Sequence, residues 1–394
     1  MQRYAPNNAV PTKILGVTSV YHTKHRPERG AFIHALFQEW RKNGIDVSVL
    51  SPVSMMRDLH DRLTRKTIIV GESRDEILIR PFYPTVSNRL LPWCDVGGRI
   101  SDVMYRGAVA RGARQLASPP HLVYAHFFDS GRAIAPYAKE MKIDSIIALG
   151  ESNPAMVERV NTSDVFRRII MGASGIVAVS RQIEEFVRSR CPDIGDRLRY
   201  FPNGIDQELF FPRDRQICRQ ILGLPSDVFI VAFTGHFDER KGSMRVLEAV
   251  RSCPEARVLF MGQGVHPPRG DCVLHAAPVA HEKLPLWLCA ADVFVLPSLA
   301  EGMCNAILEA MACALPLIVS DRDFNRAFLD EKCAIFVDPH SPQEIGRAIA
   351  SLIQDGERRR EMADSCKQHA SGFSLKQRAK GILDFCAEVM LYKG

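Results

Sequence analysis

The stretch Leu296-Pro-Ser-Leu-Ala-Glu-Gly-Met-Cys-Asn-Ala-Ile-Leu-Glu-Ala-Met-Ala-Cys-Ala-Leu-Pro-Leu-Ile-Val-Ser320 decides how this chain is read. Residues 292–296 are a short apolar run that Pro297 closes, 305–314 are rich in Ala and Leu, and 317–320 are a second apolar run after Pro316. Strand, helix and strand in that order make one β-α-β unit of a parallel sheet. Glu301 falls in the loop at the carboxyl end of the first strand, and Glu309 falls one turn into the helix. Open α/β sheets bind their ligands at that edge. The N–H groups of 302–305 have no partner within the helix they start, and the helix dipole there favours an anionic or oxygen-rich ligand. Two carboxylates in an otherwise apolar segment are expected to serve such a ligand.

Outward from this unit the rhythm of strand and helix repeats. Apolar strand-like runs occupy 13–20, 47–51, 122–126, 145–149 and 176–180, then 228–235, 257–261, 272–275, 292–296, 317–320 and 334–337. Helical patterns separate most of them, which is the signature of doubly wound parallel sheets. Pro202-Asn-Gly and Phe210-Phe-Pro212 break regular structure between the two series. The expected organisation is a domain over 1–203, a second over 204–374, and a terminal helical segment over 375–394. At 394 residues the chain is too long for one core.

Composition narrows the class. Hydrophobic residues make up 46% and charged residues 24%, as in an ordinary soluble globular protein. No apolar run reaches the roughly 18 to 20 residues needed to span a bilayer, and residues 1–13 lack the apolar core of a signal peptide. The eleven cysteines show no C-x-x-C pair and no zinc spacing. A cytoplasmic location is the expectation. Residues 1–200 hold 29 Lys and Arg against 20 Asp and Glu, leaving 22 and 25 for the remainder. A basic first half implies an anionic partner. Nucleic acid is disfavoured, since no stacking motif or helix-turn-helix pattern accompanies the charge; a membrane surface or a lipid diphosphate fits better.

The spacing Glu301-Gly-Met-Cys-Asn-Ala-Ile-Leu-Glu309 resembles the signature of retaining GT-B glycosyltransferases of the family 4 type. Thr18-Ser-Val-Tyr21 with Glu28-Arg-Gly-Ala-Phe32 looks like the first strand and acceptor-side loop of bacterial capsule and teichuronic-acid transferases. Ala178-Val-Ser180, Phe201-Pro-Asn-Gly-Ile-Asp206 and Lys241-Gly242 follow in family order, so the likeness spans roughly 13–385. It implies a GT-B fold, two Rossmann-like domains facing a cleft, with the last helix packing back on the N-terminal domain. It implies transfer of a hexose-type sugar, with retention and without a metal or other cofactor, from a UDP- or GDP-linked donor to a lipid-linked glycan in surface polysaccharide synthesis.

By the same resemblance His126, Glu301 and Lys241 are the catalytic candidates. Donor binding falls to Gly30, Gly235, His236, Lys241, Gly262, Val279, Glu301, Gly302, Met303, Cys304, Asn305 and Glu309. Within that set Glu301 meets the sugar and Glu309 the ribose. Lys241, in Gly235-His-Phe-Asp-Glu-Arg-Lys-Gly242, neutralises the leaving diphosphate. Cys304 precedes a helix and is expected to carry thiolate character if exposed. A dinucleotide oxidoreductase is disfavoured, because the first strand ends without G-x-G-x-x-G and Met261-Gly-Gln-Gly-Val265 supplies only two glycines.

Three positions depart from the family pattern: His236 where Arg is usual, Leu149 in Leu149-Gly-Glu-Ser152 where His is common, and Ala277 where Gly is usual. His236 offers one neutral donor in place of a charged fork. Leu149 and His236 keep open an alternative, a catalytically silent GT-B protein that binds a nucleotide sugar or a partner as a scaffold. Finally, Asn88-Arg-Leu-Leu-Pro-Trp93 is followed by Arg99, Arg106, Arg111 and Arg114, a basic amphipathic stretch suited to the inner face of the cell membrane. The sequence leaves the oligomeric state open.

Overall fold

The computed structural model describes residues 10–22, 29–56, 58–59, 77–85, 96–151, 157 and 162–391. The tip at 88–93 lies outside them. Two compact units are present, one of Met1–Pro202 with Ala379–Gly394 and one of Asn203–Arg378. The described core of each is a parallel sheet.

The first unit contains Lys13–Thr18 (β1), Asp46–Leu50 (β2), Val53–Ser54 (β3), Leu78–Ile79 (β4), Phe82–Tyr83 (β5), Leu122–His126 (β6), Asp144–Leu149 (β7), Gly175–Ala178 (β8) and Leu198–Tyr200 (β9). Seven form one sheet in the order β4-β2-β1-β6-β7-β8-β9, while β3 pairs with β5. Strand order therefore reverses between β1 and β6, the doubly wound pattern. The period of two sorts each strand between the layers. Leu15, Val17, Val123 and Ala125 face a cluster with Val109, Ala133 and Ile134 from the helices Val96–Ala113 and Phe128–Glu140. Gly16 and Tyr124, register partners, face the opposite way. A Cβ on Gly16 would lie 2.5 Å from the Phe37 ring, and Tyr124 packs edge-on to Trp40 at 4.9 Å, so the helix Ala31–Lys42 covers this layer. The helix Leu375–Leu391 joins it: Trp40 Nε1 donates to the Ala379 carbonyl at 3.0 Å.

The second unit is built from Phe229–His236 (β10), Ala256–Gln263 (β11), Val273–Ala277 (β12), Val293–Leu296 (β13), Leu317–Ser320 (β14) and Ala334–Val337 (β15). They form one parallel sheet in the order β12-β11-β10-β13-β14-β15. Here the order reverses between β10 and β13. Val231, Phe233, Val258, Phe260, Phe294 and Ile318 are fully buried between helices, as parallel strands covered on both faces must be. At the amino end of β13, Asp292 accepts from Arg219 at 2.6 Å and from the Ile230 N–H at 2.7 Å, and pairs also with Arg215. This buried, hydrogen-bonded pair ties the helix Arg215–Leu222 to the sheet. The linker is fixed as well: the Ile205 N–H donates to the Phe373 carbonyl at 2.8 Å, and the Ile205 carbonyl accepts from the Leu375 N–H at 2.9 Å, a parallel bridge to Ser374.

Candidate active site

The site of the second unit grows from the carboxyl ends of β10 and β13, the two strands that flank the reversal. β10 ends in Thr234-Gly-His236, and Gly235 adopts φ 151°. Next to it, a Cβ on Gly262 at the end of β11 would fall 1.8 Å from the Gly235 carbonyl oxygen. Only glycine permits that approach. His236 points into solvent. The chain then turns through Asp238, whose carboxylate accepts the Lys241 N–H at 2.8 Å, and Gly242 caps the helix Ser243–Arg251 at φ 79°.

That turn aims Lys241 inward. The residue is 9% exposed, and its ammonium lies 2.7 Å from Glu301 Oε1 and 3.7 Å from the Cys304 sulfur. Burial pushes the Lys241 pKa down, but Cys304 and the Glu301 carboxylate push it up further, and the net shift is upward. Arg240 joins the same oxygen at 3.0 Å while donating to the Ala300 carbonyl at 2.9 Å. Two cations thus share one carboxylate that is 7% exposed, and the cluster carries net positive charge.

Glu301, Gly302, Met303 and Cys304 are all buried, and the loop is held from the linker: Asn203 Nδ2 donates to the Met303 carbonyl at 3.0 Å. The expectation for Cys304 is conditional on exposure. The residue sits buried before the helix Asn305–Ala312, and burial raises its thiol pKa, so the condition for an activated thiolate is not met. Asn305 Oδ1 and the hydroxyls of Thr234, Ser243 and Ser298 are buried without a hydrogen-bond partner in the protein. All four residues lie at this carboxyl edge, the edge at which open α/β sheets bind ligands.

Glu309, 8% exposed, accepts from His281 Nε2 at 2.9 Å. Burial lowers the His281 pKa, while the hydrogen bond and charge of Glu309 raise it more; the net direction is up. Val279 lies just before this histidine, partly buried against the core. Sequence reasoning assigned no role to His281 or to Arg240. Arg240 carried a signal, since it adjoins Lys241; His281 carried none, being 28 residues from its partner.

In the first unit the reversal point brings His126, at the end of β6, level with Thr18 of β1. The imidazole is 1% exposed, and its ring centroid is 5.3 Å from Phe32 and 4.6 Å from Phe127. Gly150 at the end of β7 leaves room for it: a Cβ there would be 3.3 Å from Nε2. Phe127 holds φ 72°, ψ 152°, a region close to glycine-only and a mark of stored strain. Leu149 is buried in an apolar cluster with Phe128 and Phe166. Glu151 accepts the Phe128 N–H at 2.6 Å, capping the helix Phe128–Glu140, and burial pushes its pKa up to about 7. Gly30 caps the helix Ala31–Lys42 at φ 69°, where a Cβ would strike the Val20 carbonyl at 2.3 Å. Among the described residues no group of three or more His, Cys, Asp or Glu side chains is placed to hold a metal ion.

Comparison with known proteins finds relatives in both sequence and fold. Residues 228–355 match the family described as Glycosyl transferases group 1. The chain is 28% identical over 372 residues to the Bacillus subtilis protein TuaC, named as a teichuronic acid biosynthesis glycosyltransferase, covering 89% of this chain and 92% of that one. It is also 28% identical over 244 residues to a D-inositol 3-phosphate glycosyltransferase of Paenarthrobacter aurescens, covering 57% and 60%. Among solved structures, sucrose-phosphate synthase from Thermosynechococcus elongatus superposes with a TM-score of 0.76 at 19% identity, over 96% of this chain and all of that one. Anabaena HepE in complex with UDP-glucose superposes with a TM-score of 0.67 at 15% identity, over 94% and 98%. Residues 228–355 thus match the group 1 glycosyltransferase family, and over nearly its whole length the chain is similar in sequence to a glycosyltransferase and shares the GT-B fold.

Proposed function

We propose that the chain transfers a hexose-type sugar, with retention, from a nucleoside diphosphate sugar bound on the second unit to a lipid-linked glycan acceptor in surface polysaccharide synthesis. The observation that carries this reading is the buried Lys241–Glu301 pair, joined by the half-buried Arg240, beside a helix amino terminus. With one ammonium proton on Glu301 and one toward the Cys304 sulfur, the third is left for a phosphate oxygen. Lys241, Arg240 and the first N–H groups of Asn305–Ala312 supply positive charge where a departing diphosphate gathers negative charge. Glu309, oriented by His281, is left to accept from the ribose hydroxyls.

In the proposed same-face displacement the acceptor oxygen bonds to the anomeric carbon as the phosphate leaves, and the acceptor proton passes to the departing phosphate oxygen. Glu301 and Glu309 then act by positioning, not as the acid and nucleophile of a retaining hydrolase. His126 is assigned to the transferring sugar. UDP is the first nucleotide to test, because the structural relative from Anabaena binds UDP-glucose. The assignment to surface polysaccharide synthesis draws on the TuaC relative, named for teichuronic acid biosynthesis.

The scaffold alternative draws on Leu149, whose apolar surroundings supply no second imidazole. Thermal shift with a panel of UDP-, GDP- and ADP-sugars tests the donor site. A donor at a hundredfold excess over its Kd stabilises by about 2.7 kcal/mol. Glu309→Gln should abolish most of that shift; an equal shift in wild type and variant would remove the ribose assignment.

A further inference from the structure

Of the fifteen exposed large hydrophobic residues among the described residues, eight lie between positions 55 and 104. Single exposed apolar residues are ordinary, but a concentration on adjoining elements is not. The helix Val96–Ala113 turns Tyr105, Val109 and Ala113 into the core of the first unit. At 100° per residue, Ile100, Val103 and Met104 fall together on the opposite side within roughly 100° of arc. They are 40%, 55% and 41% exposed.

The neighbouring pair of short strands extends the face. Tyr83 of β5 lies edge-on to Tyr105, ring centroids 5.6 Å apart. Strand alternation turns Phe82 the other way, and it is half exposed. Phe82 is the register partner of Val53 in β3, and Met55 and Met56, both exposed, follow directly. Charge completes the pattern. Arg99, Arg106 and Arg111 on the helix and Arg114 after it are exposed, against two carboxylates, Asp102 on the helix and Glu140, which pairs with Arg114 at 3.2 Å. Asp102 is already paired with Arg106 and Arg132.

We propose that this face docks on an anionic lipid bilayer, with Ile100, Val103, Met104 and Phe82 at the acyl boundary and the arginines at headgroup phosphates. Long cationic side chains beside an apolar stripe match that interface, and each arginine near an anionic surface adds to binding. Association with a second copy fits less well, since a two-fold contact would set the same arginines against each other. The proposal does not rest on the transferase reading, because vesicle binding is measured without a donor.

The test sediments the full chain with phosphatidylcholine vesicles containing about 30% phosphatidylglycerol, a strongly anionic surface. The wild type should pellet with these vesicles and far less with phosphatidylcholine alone, and salt should release it. Val103→Asp with Met104→Asp should cut binding by about tenfold or more. Arg99→Gln with Arg111→Gln should cost about fivefold for each charge removed. Melting temperature and circular dichroism confirm that the variants are folded. Should the Asp pair not fold, Val103→Trp gives a second reading: brominated acyl chains should quench fluorescence beyond that lost by the wild type. Wild type left in the supernatant, binding indifferent to the Asp pair, or no added quenching of Val103→Trp would overturn the proposal. A dimer in analytical ultracentrifugation that the Asp pair abolishes, without vesicle binding, would assign the face to a second copy and overturn it equally.

Discussion

His281 and Glu309 show how a buried pair sets a pH dependence. The folded His281 pKa is raised above its unfolded value of about 6.5. The stability it contributes is therefore fully present below that unfolded value and is lost as pH rises through the folded one. Melting curves from pH 6 to 9 should show this loss in wild type, and His281→Gln should flatten it. A wild-type slope that survives in His281→Gln would place the titration elsewhere. Cys304 gives an independent reading of burial. With its thiol buried and its pKa raised, maleimide at neutral pH should label it slowly in the native protein and fast after unfolding. Rapid native labelling at Cys304, located by mass spectrometry, would contradict the packing around Lys241.

At the scale of strands and helices, close approach of backbones is decisive where β10 and β11 end. Gly262→Ala forces a Cβ against the Gly235 carbonyl, and overpacking of that kind costs about 1–3 kcal/mol. The melting transition of the second unit should fall accordingly and donor affinity should drop with it, as calorimetry would show. An unperturbed variant would mean that the strand ends are looser than drawn. The same ends explain what could be read from sequence. The long strands β10 and β11 and the run at 317–320 were legible because strands buried on both faces are continuous apolar runs. The strands β3, β4, β5 and β9 were not, since two or three residues carry no period, and Leu198–Tyr200 has an arginine at its centre. Glu301, Glu309 and Lys241 stood out through spacing and charge. Arg240 and His281 acquire their roles only when loops from different strands converge. Phe127 gave no hint of its positive φ, because glycine is the residue that normally announces that conformation.

Across the whole molecule, two sheets of the same winding each place candidate residues where strand order reverses: Thr18 and His126 in one unit, Gly235, Lys241 and Glu301 in the other. That recurrence is what the doubly wound order predicts for ligand sites, and it separates an enzyme from a scaffold only through chemistry. Lys241 is the group whose charge should matter more as the diphosphate leaves than when it binds. The most direct measurement is release of nucleoside diphosphate from the donor identified by thermal shift, with an envelope lipid extract as acceptor, for wild type and for a folded Lys241→Ala variant. Loss of such a contact costs about 2.7–4 kcal/mol, so release should slow by about a hundredfold or more while donor binding weakens less. Release at the wild-type rate from Lys241→Ala, or donor binding by the wild type with no release at all, would contradict the assignment.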